Sequence, residues 1–203
     1  YSVNPLPHAL LNFVFDFASL QPKDEVKYIT NTVISILTRM IREGIINNID
    51  EGDLNKLTDE MVDSIVICHD FIRDNYDKSS VSMREIRRFG IFFEYFLTYF
   101  KKYESTKKRM KSSLNITLYL CYYLRLNDKN DRKQLSLRLD KYFWNNFTTI
   151  PEKEIQNIVS KMTIEQNKGI ALNRALRENL FTTFICIVNS IPLIIVGKPG
   201  TSK

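Results

Sequence analysis

The residues best suited to chemistry are Gly197-Lys198-Pro199-Gly200-Thr201-Ser202-Lys203. They follow the phosphate-loop pattern GxxxxGK, with Ser202 standing where the pattern has its second glycine. Glycines let the backbone wrap a phosphate so that its N–H groups point inward, and the lysine ammonium neutralises the β and γ oxygens. Gly197, Gly200 and Lys203 supply those parts, which makes ATP the expected ligand. A Gly-Lys-Pro-Gly string can also be an ordinary turn. What favours the phosphate loop is the β-branched run Ile191 to Val196 directly before it, the composition of a buried strand. The Ser or Thr that would hold magnesium after Lys203, and the acidic strand end that would complete a metal site, are not in the sequence, so no metal ligand is assigned.

A second candidate is Ser82-Met83-Arg84-Glu85-Ile86-Arg87-Arg88, where three arginines crowd the opening turns of a helix. Positive charge there opposes the macrodipole at roughly 0.3–1 kcal/mol per exposed group, so something should compensate. Glu85 and Asp77 would do so in a structural reading. In a functional reading the compensation is an anion such as a nucleotide γ-phosphate, held by the planar donor fork of Arg84. His69 beside Cys68 suggests a metal or nucleophile pair, but neighbours on a helix point about 100° apart, which favours a structural role. Asp16, Asp24 and Glu25 read as helix-terminal charges. The aromatics of 89–103 and 119–123 read as core rather than as a base-stacking platform.

The elements that position these residues are helices, because apolar side chains recur three and four positions apart up to Asn189. The expected class is mainly α, followed by one strand and the loop. Helices are predicted over Pro5 to Phe17 and from Pro22 to a Gly44 cap, then from a Thr58 cap to about Tyr76 after a polar loop over 45–56. Ser82 and Glu85 form a capping box that starts a helix at Met83, running to about Tyr103 as the packing hub of the first half. Residues 101–111 carry six basic residues and one acid and read as a solvated linker or helix end. Further helices are expected over Ser113 to Leu126, Arg132 to Phe147, Pro151 to Met162 and Asn173 to Asn189. No internal repeat or low-complexity tract is present.

Composition bounds the rest. With 203 residues and 44% hydrophobic content the chain can bury a sizeable core. Its 29 Lys and Arg against 23 Asp and Glu, a net charge of +6, fit either anionic partners or an ordinary basic surface. Cys68, Cys121 and Cys186 are far apart and form neither a CxxC pair nor a disulfide framework, which fits a reduced, cytoplasmic compartment. The stretch Leu180 to Val196 is broken by Thr182, Thr183, Asn189, Ser190 and Pro192 and falls short of the roughly 20 apolar residues of a spanning helix, so no membrane anchor is expected. Tyr1 in place of an initiator Met, and a loop that stops at Lys203, read as two cuts in a longer polypeptide.

VSMREIRRF (Val81 to Phe89) resembles the sensor-two helix in the lid of AAA+ modules of the dynein, midasin and mysterin branch, where Ser-x-Arg opens the helix. ALRENLFTTFICIVNSIPLIIVGKPGTSK (Ala175 to Lys203) resembles the start of a later AAA+ module of mysterin-like giant ubiquitin ligases, in which GKPG followed by Ser-Lys is characteristic. CYYLRL (Cys121 to Leu126) and YSVNPLP (Tyr1 to Pro7) resemble that family too. The resemblance implies a helical lid over 1–104, connecting helices over 105–170 and the start of the next module over 171–203. It implies that Arg84 is the sensor arginine, that Gly197, Lys198, Pro199, Gly200, Thr201, Ser202 and Lys203 bind ATP, and that magnesium belongs to the complete protein. The implied partners are ATP and neighbouring modules of the same polypeptide, with ubiquitin transfer left to domains outside this segment. Arg87 and Arg88 could share the role of Arg84. The alternatives are an all-helical protein-interaction module whose terminal loop is a simple turn and, third, a basic nucleic-acid binder.

Overall fold

Helix α1 (His8–Leu11) is short and α2 (Pro22–Arg42) long, with Pro22 in the first turn, where its fixed φ fits and its missing N–H costs nothing. This computed structural model describes residues 7–11, 13–14, 21–76, 80–102, 105–143, 146–162 and 172–196. Pro5 and Phe17, the predicted ends of the first helix, both lie outside them. Gly44 takes φ +71° just past α2, and the Ile45 N–H returns to the Met40 carbonyl at 2.9 Å, so the predicted glycine stop is the one used.

Helix α3 (Glu51–Asn75) starts two turns earlier than a Thr58 cap requires. Asp50 is the cap, accepting the Asp53 N–H at 2.9 Å, and Glu51 and Asp53 favour the positive end of the dipole. Thr58 lies inside the helix with its hydroxyl donating to the Leu54 carbonyl. Helix α4 (Met83–Tyr99) opens on the predicted capping box and ends in a 3-10 turn over Phe100–Lys102.

The basic stretch, read as a solvated linker or helix end, takes the second form: from Thr106 it is the start of α5 (Thr106–Cys121), capped by Ser105. Lys107 pairs with Asp53 and Lys111 with Glu60 on α3, so two of its charges are compensated across a helix interface while Lys107 and Lys108 stay exposed to solvent. A 3-10 turn over Tyr123–Arg125, then α6 (Lys129–Asp140), α7 (Thr149–Val159) and α8 (Arg174–Val188) complete the described helices.

The hub is α5 more than α4. Every residue from Ser112 to Tyr123 is buried, and α5 packs against α3, α4 and α7. Ser112, Ser113, Asn115 and Thr117 disguise this in the sequence. Helix α4 keeps Ile91 in solvent at 44% exposure, while Phe89, Phe93 and Phe96 are fully buried. Gly90 lets α4 approach α2: a Cβ there would stand 2.7 Å from Ile36 Cδ1. Phe181 of α8 stacks on Phe96 with centroids 6.3 Å apart, so one core runs from Ile29 to Cys186. As expected, the aromatics of α4 and α5 are core.

The expected strand over Ile191 to Val196 is not formed. Ser190 turns left-handed at φ 55°, the Ile191 N–H donates to the Cys186 carbonyl at 2.8 Å, and residues 192–196 follow with neither helix nor ladder. A strand exists through its neighbour's N–H and C=O groups, and among the described residues no other extended segment stands beside this one. Ile194 and Val196 are consequently 86% and 87% exposed. Among the described residues no helix is long and apolar enough to cross a membrane.

Candidate functional site

Gly197, Lys198, Pro199, Gly200, Thr201, Ser202 and Lys203 lie outside the described residues. Their approach is described. Helix α8 is capped by Asn173, whose side chain accepts the Leu176 N–H at 2.9 Å, and held by Glu178, buried on its inner face. Arg132 Nη1 donates to both Glu178 oxygens at 3.0 and 2.9 Å, while its Nε donates to the Leu126 carbonyl and its guanidinium lies over the Tyr123 ring. Arg174 Nε adds a third bond to Glu178 at 2.8 Å, and its Nη2 reaches Glu152 at 3.0 Å and the Tyr119 and Tyr123 hydroxyls. One carboxylate thus ties α8 to α6 and, through the arginines, to α5 and α7.

The arginine-rich start of α4 meets this approach at a different carboxylate. Glu85 is 9% exposed and accepts the Ser82 N–H at 2.8 Å and the Ser82 hydroxyl at 2.9 Å. Burial works to raise its carboxyl, but the Ser82 bonds and the charge of Arg125 outweigh it and hold the group below its ordinary range. Arg88 at 3.5 Å and Arg125 at 3.6 Å share it, and Arg125 also donates to the Ser80 carbonyl at 2.7 Å. Two guanidiniums on one carboxylate leave a surplus positive charge. It faces a cleft of about 210 Å³ whose other wall is Cys186, Ile191, Pro192 and Leu193. The opening of α4 and the lead-in to 197–203 therefore border the same cleft.

Arg84 and Arg87 are exposed and, among the described residues, have no side-chain hydrogen bond or ion pair. Arg84 does not line the cleft; Arg88 does. Arg125, which sequence reasoning passed over, completes the cluster from a 3-10 turn, and no spacing rule connects it to Glu85.

Glu25 is more than the helix-terminal charge expected of it. It sits in the first turn of α2 but is buried, and it takes both Arg73 nitrogens at 2.5 and 2.8 Å together with His69 Nδ1 at 2.9 Å. Burial raises the carboxyl, and the bonds from Arg73 and His69 more than reverse this. Burial pushes the His69 imidazole down against the pull of Glu25, so the ring is neutral. Its Nδ1–H donates to Glu25, and its Nε2 accepts the Tyr122 hydroxyl at 3.1 Å. The visible signal was the i,i+4 spacing of His69 and Arg73, which puts both on one face of α3. Cys68 is not its chemical partner: burial raises that thiol far above its ordinary value and leaves it unreactive. The assembly links α2, α3 and α5 as a structural clamp.

A family model described as RNF213 AAA domain matches residues 169–203. Over 100% of its length the chain is similar to E3 ubiquitin-protein ligase rnf213-beta of Danio rerio, at 30% identity, and to E3 ubiquitin-protein ligase RNF213 of Homo sapiens, at 29%, and of Mus musculus, at 28%. It spans about 4% of the length of each of these relatives. No solved structure matches it. Along its whole length, and through the AAA-domain match over 169–203, the chain is similar to the RNF213, or mysterin, family.

Proposed function

We propose that this chain is the coupling segment of an AAA ATPase core: residues 1–104 form the lid of one nucleotide-binding module, 105–170 connect, and 171–203 begin the next. The observation that carries this reading is the shared cleft, in which Glu85, Arg88 and Arg125 stand against Ile191–Leu193. A shift of α4 on nucleotide binding would be felt at the lead-in to the phosphate loop, and the Glu178 cluster would pass it to the connecting helices. Gly197, Gly200 and Lys203 would hold ATP phosphates with backbone N–H groups and an ammonium, and Lys198, Pro199, Thr201 and Ser202 would shape the loop. Magnesium would take its ligands from residues other than these and would offset phosphate charge. Arg84, without a side-chain partner among the described residues, is free to meet a γ-phosphate of the preceding module. Neighbouring modules are the direct partners, and ubiquitin transfer belongs to other domains of a full-length protein.

The test is ATP turnover in a polypeptide of the relatives' length. Arg84→Ala should lower turnover at least tenfold with an unchanged melting temperature, since an exposed substitution moves stability by no more than about 0.5 kcal/mol. Unchanged turnover removes Arg84 from the site. A second reading, an all-helical interaction module without nucleotide, is favoured by the exposure of Ile187, Ile194 and Val196. Partner binding with no nucleotide binding would select it.

A further inference from the structure

We propose a second ligand site, separate from the terminal loop: a pocket of about 310 Å³ between α3, α5, Phe143 just after α6 and Ile150 in the first turn of α7, fitted to a small anion with a flat apolar body, as a purine nucleoside monophosphate has. The pocket reaches Asn115 on the most buried helix of the chain. Asn115 is 0% exposed, and among the described residues neither its Oδ1 nor its Nδ2 has a hydrogen-bond partner. Buried amides are almost always satisfied, so an orphaned donor and acceptor on one side chain point to a group that comes from outside. One water occupies about 30 Å³, roughly a tenth of this space, so water at Asn115 would leave most of the pocket over.

The rest of the lining suits an amphipathic anion. Leu57, Phe143 and Ile150 supply apolar wall. At the rim Lys56, Lys107, Lys108 and Lys111 stand against Asp53 and Glu60, four ammonium groups to two carboxylates, beside Ser105 at the start of α5. A carboxamide presents a donor and an acceptor side by side, the complement of the N6/N7 edge of adenine, and lysines suit a phosphate as point charges. The volume is at the lower end for small-molecule sites, the size of a mononucleotide rather than a dinucleotide.

The experiment is calorimetric titration of the 203-residue chain with AMP and, separately, with inorganic phosphate. AMP should bind saturably, and phosphate at least tenfold more weakly. Asn115→Leu should weaken AMP binding at least tenfold while raising the melting temperature of the free chain, because an unpaired buried amide is removed. Lys203→Ala should leave AMP binding intact, separating this site from the terminal loop. Lys56→Glu, at an exposed position, should weaken AMP severalfold and serves as the test if Asn115→Leu does not fold. No AMP binding, equal binding of phosphate alone, loss on Lys203→Ala, or unchanged affinity in the folded pocket variants overturns the proposal.

Discussion

Glu178→Ala should loosen α8 more than any other single charge removal on that helix. Glu178 has a 10% exposed side chain and receives two bonds from Arg132 and one from Arg174. Removing one member of a buried ion pair costs about 3–5 kcal/mol, because the survivor is left desolvated. Arg132 is 18% exposed and keeps its bond to the Leu126 carbonyl at 2.6 Å, which discounts the loss to about 2–3 kcal/mol. Arg174 is 54% exposed and retains Glu152, so its share is below about 1 kcal/mol. At about 2–4 °C per kcal/mol for a chain of this size, a total loss of about 2–4 kcal/mol should lower the melting temperature by about 4–16 °C. Urea denaturation of the single variants and of Glu178→Ala combined with Arg132→Met gives the pair energy, expected above about 1 kcal/mol in favour of the double variant. Hydrogen exchange should show protection lost first in α8. A melting shift under about 2 °C, or strict additivity, refutes the claim that this carboxylate anchors α8.

Acid should destabilise the chain in two steps of the same sign. His69 is lowered from its ordinary 6.5, so the native state holds fewer protons than the unfolded one. Its contribution is complete above 6.5 and is lost as pH falls through 6.5 towards the lowered value. Glu25 is lowered from 4.5, and its contribution, present above 4.5, disappears as pH falls through the folded value. Melting temperature measured from pH 7 to pH 3 should fall throughout, and His69→Gln should flatten the upper part. A flat wild-type curve between pH 7 and 5 would count against the clamp. Gly90→Ala sets a helix-propensity gain of about 1 kcal/mol against an overpacking cost of about 1–3 kcal/mol at Ile36, for a net loss near 1 kcal/mol. Gly90→Val should lose more than twice that in urea titrations, whereas a stabilised Gly90→Ala would mean that α2 and α4 do not meet there.

Local signals were legible in the sequence and long-range ones were not. Pro22, the Ser82–Glu85 box, Gly44 and the aromatic periodicity of α4 act within a few residues, and each marks the element it was read to mark. The start of α3 was misplaced because Glu-Gly-Asp looks like loop, whereas its acids are what a first turn favours. The partners of Lys107 and Lys111 at the start of α5 were not legible because Asp53 and Glu60 lie more than fifty positions away. The clustering of Arg88 and Arg125 on Glu85, and of Arg132 and Arg174 on Glu178, likewise comes from helices meeting. The run 191–196 has strand composition but no strand beside it, and composition alone does not make a ladder.

The central claim, that 197–203 belongs to an ATP site, is tested most directly by titrating fluorescent ATP into a polypeptide of the relatives' length and its Lys203→Ala variant. The variant should bind at least tenfold more weakly, because the ammonium that faces the β and γ phosphates is gone while the fold is kept. Equal affinity in the two proteins would contradict the account.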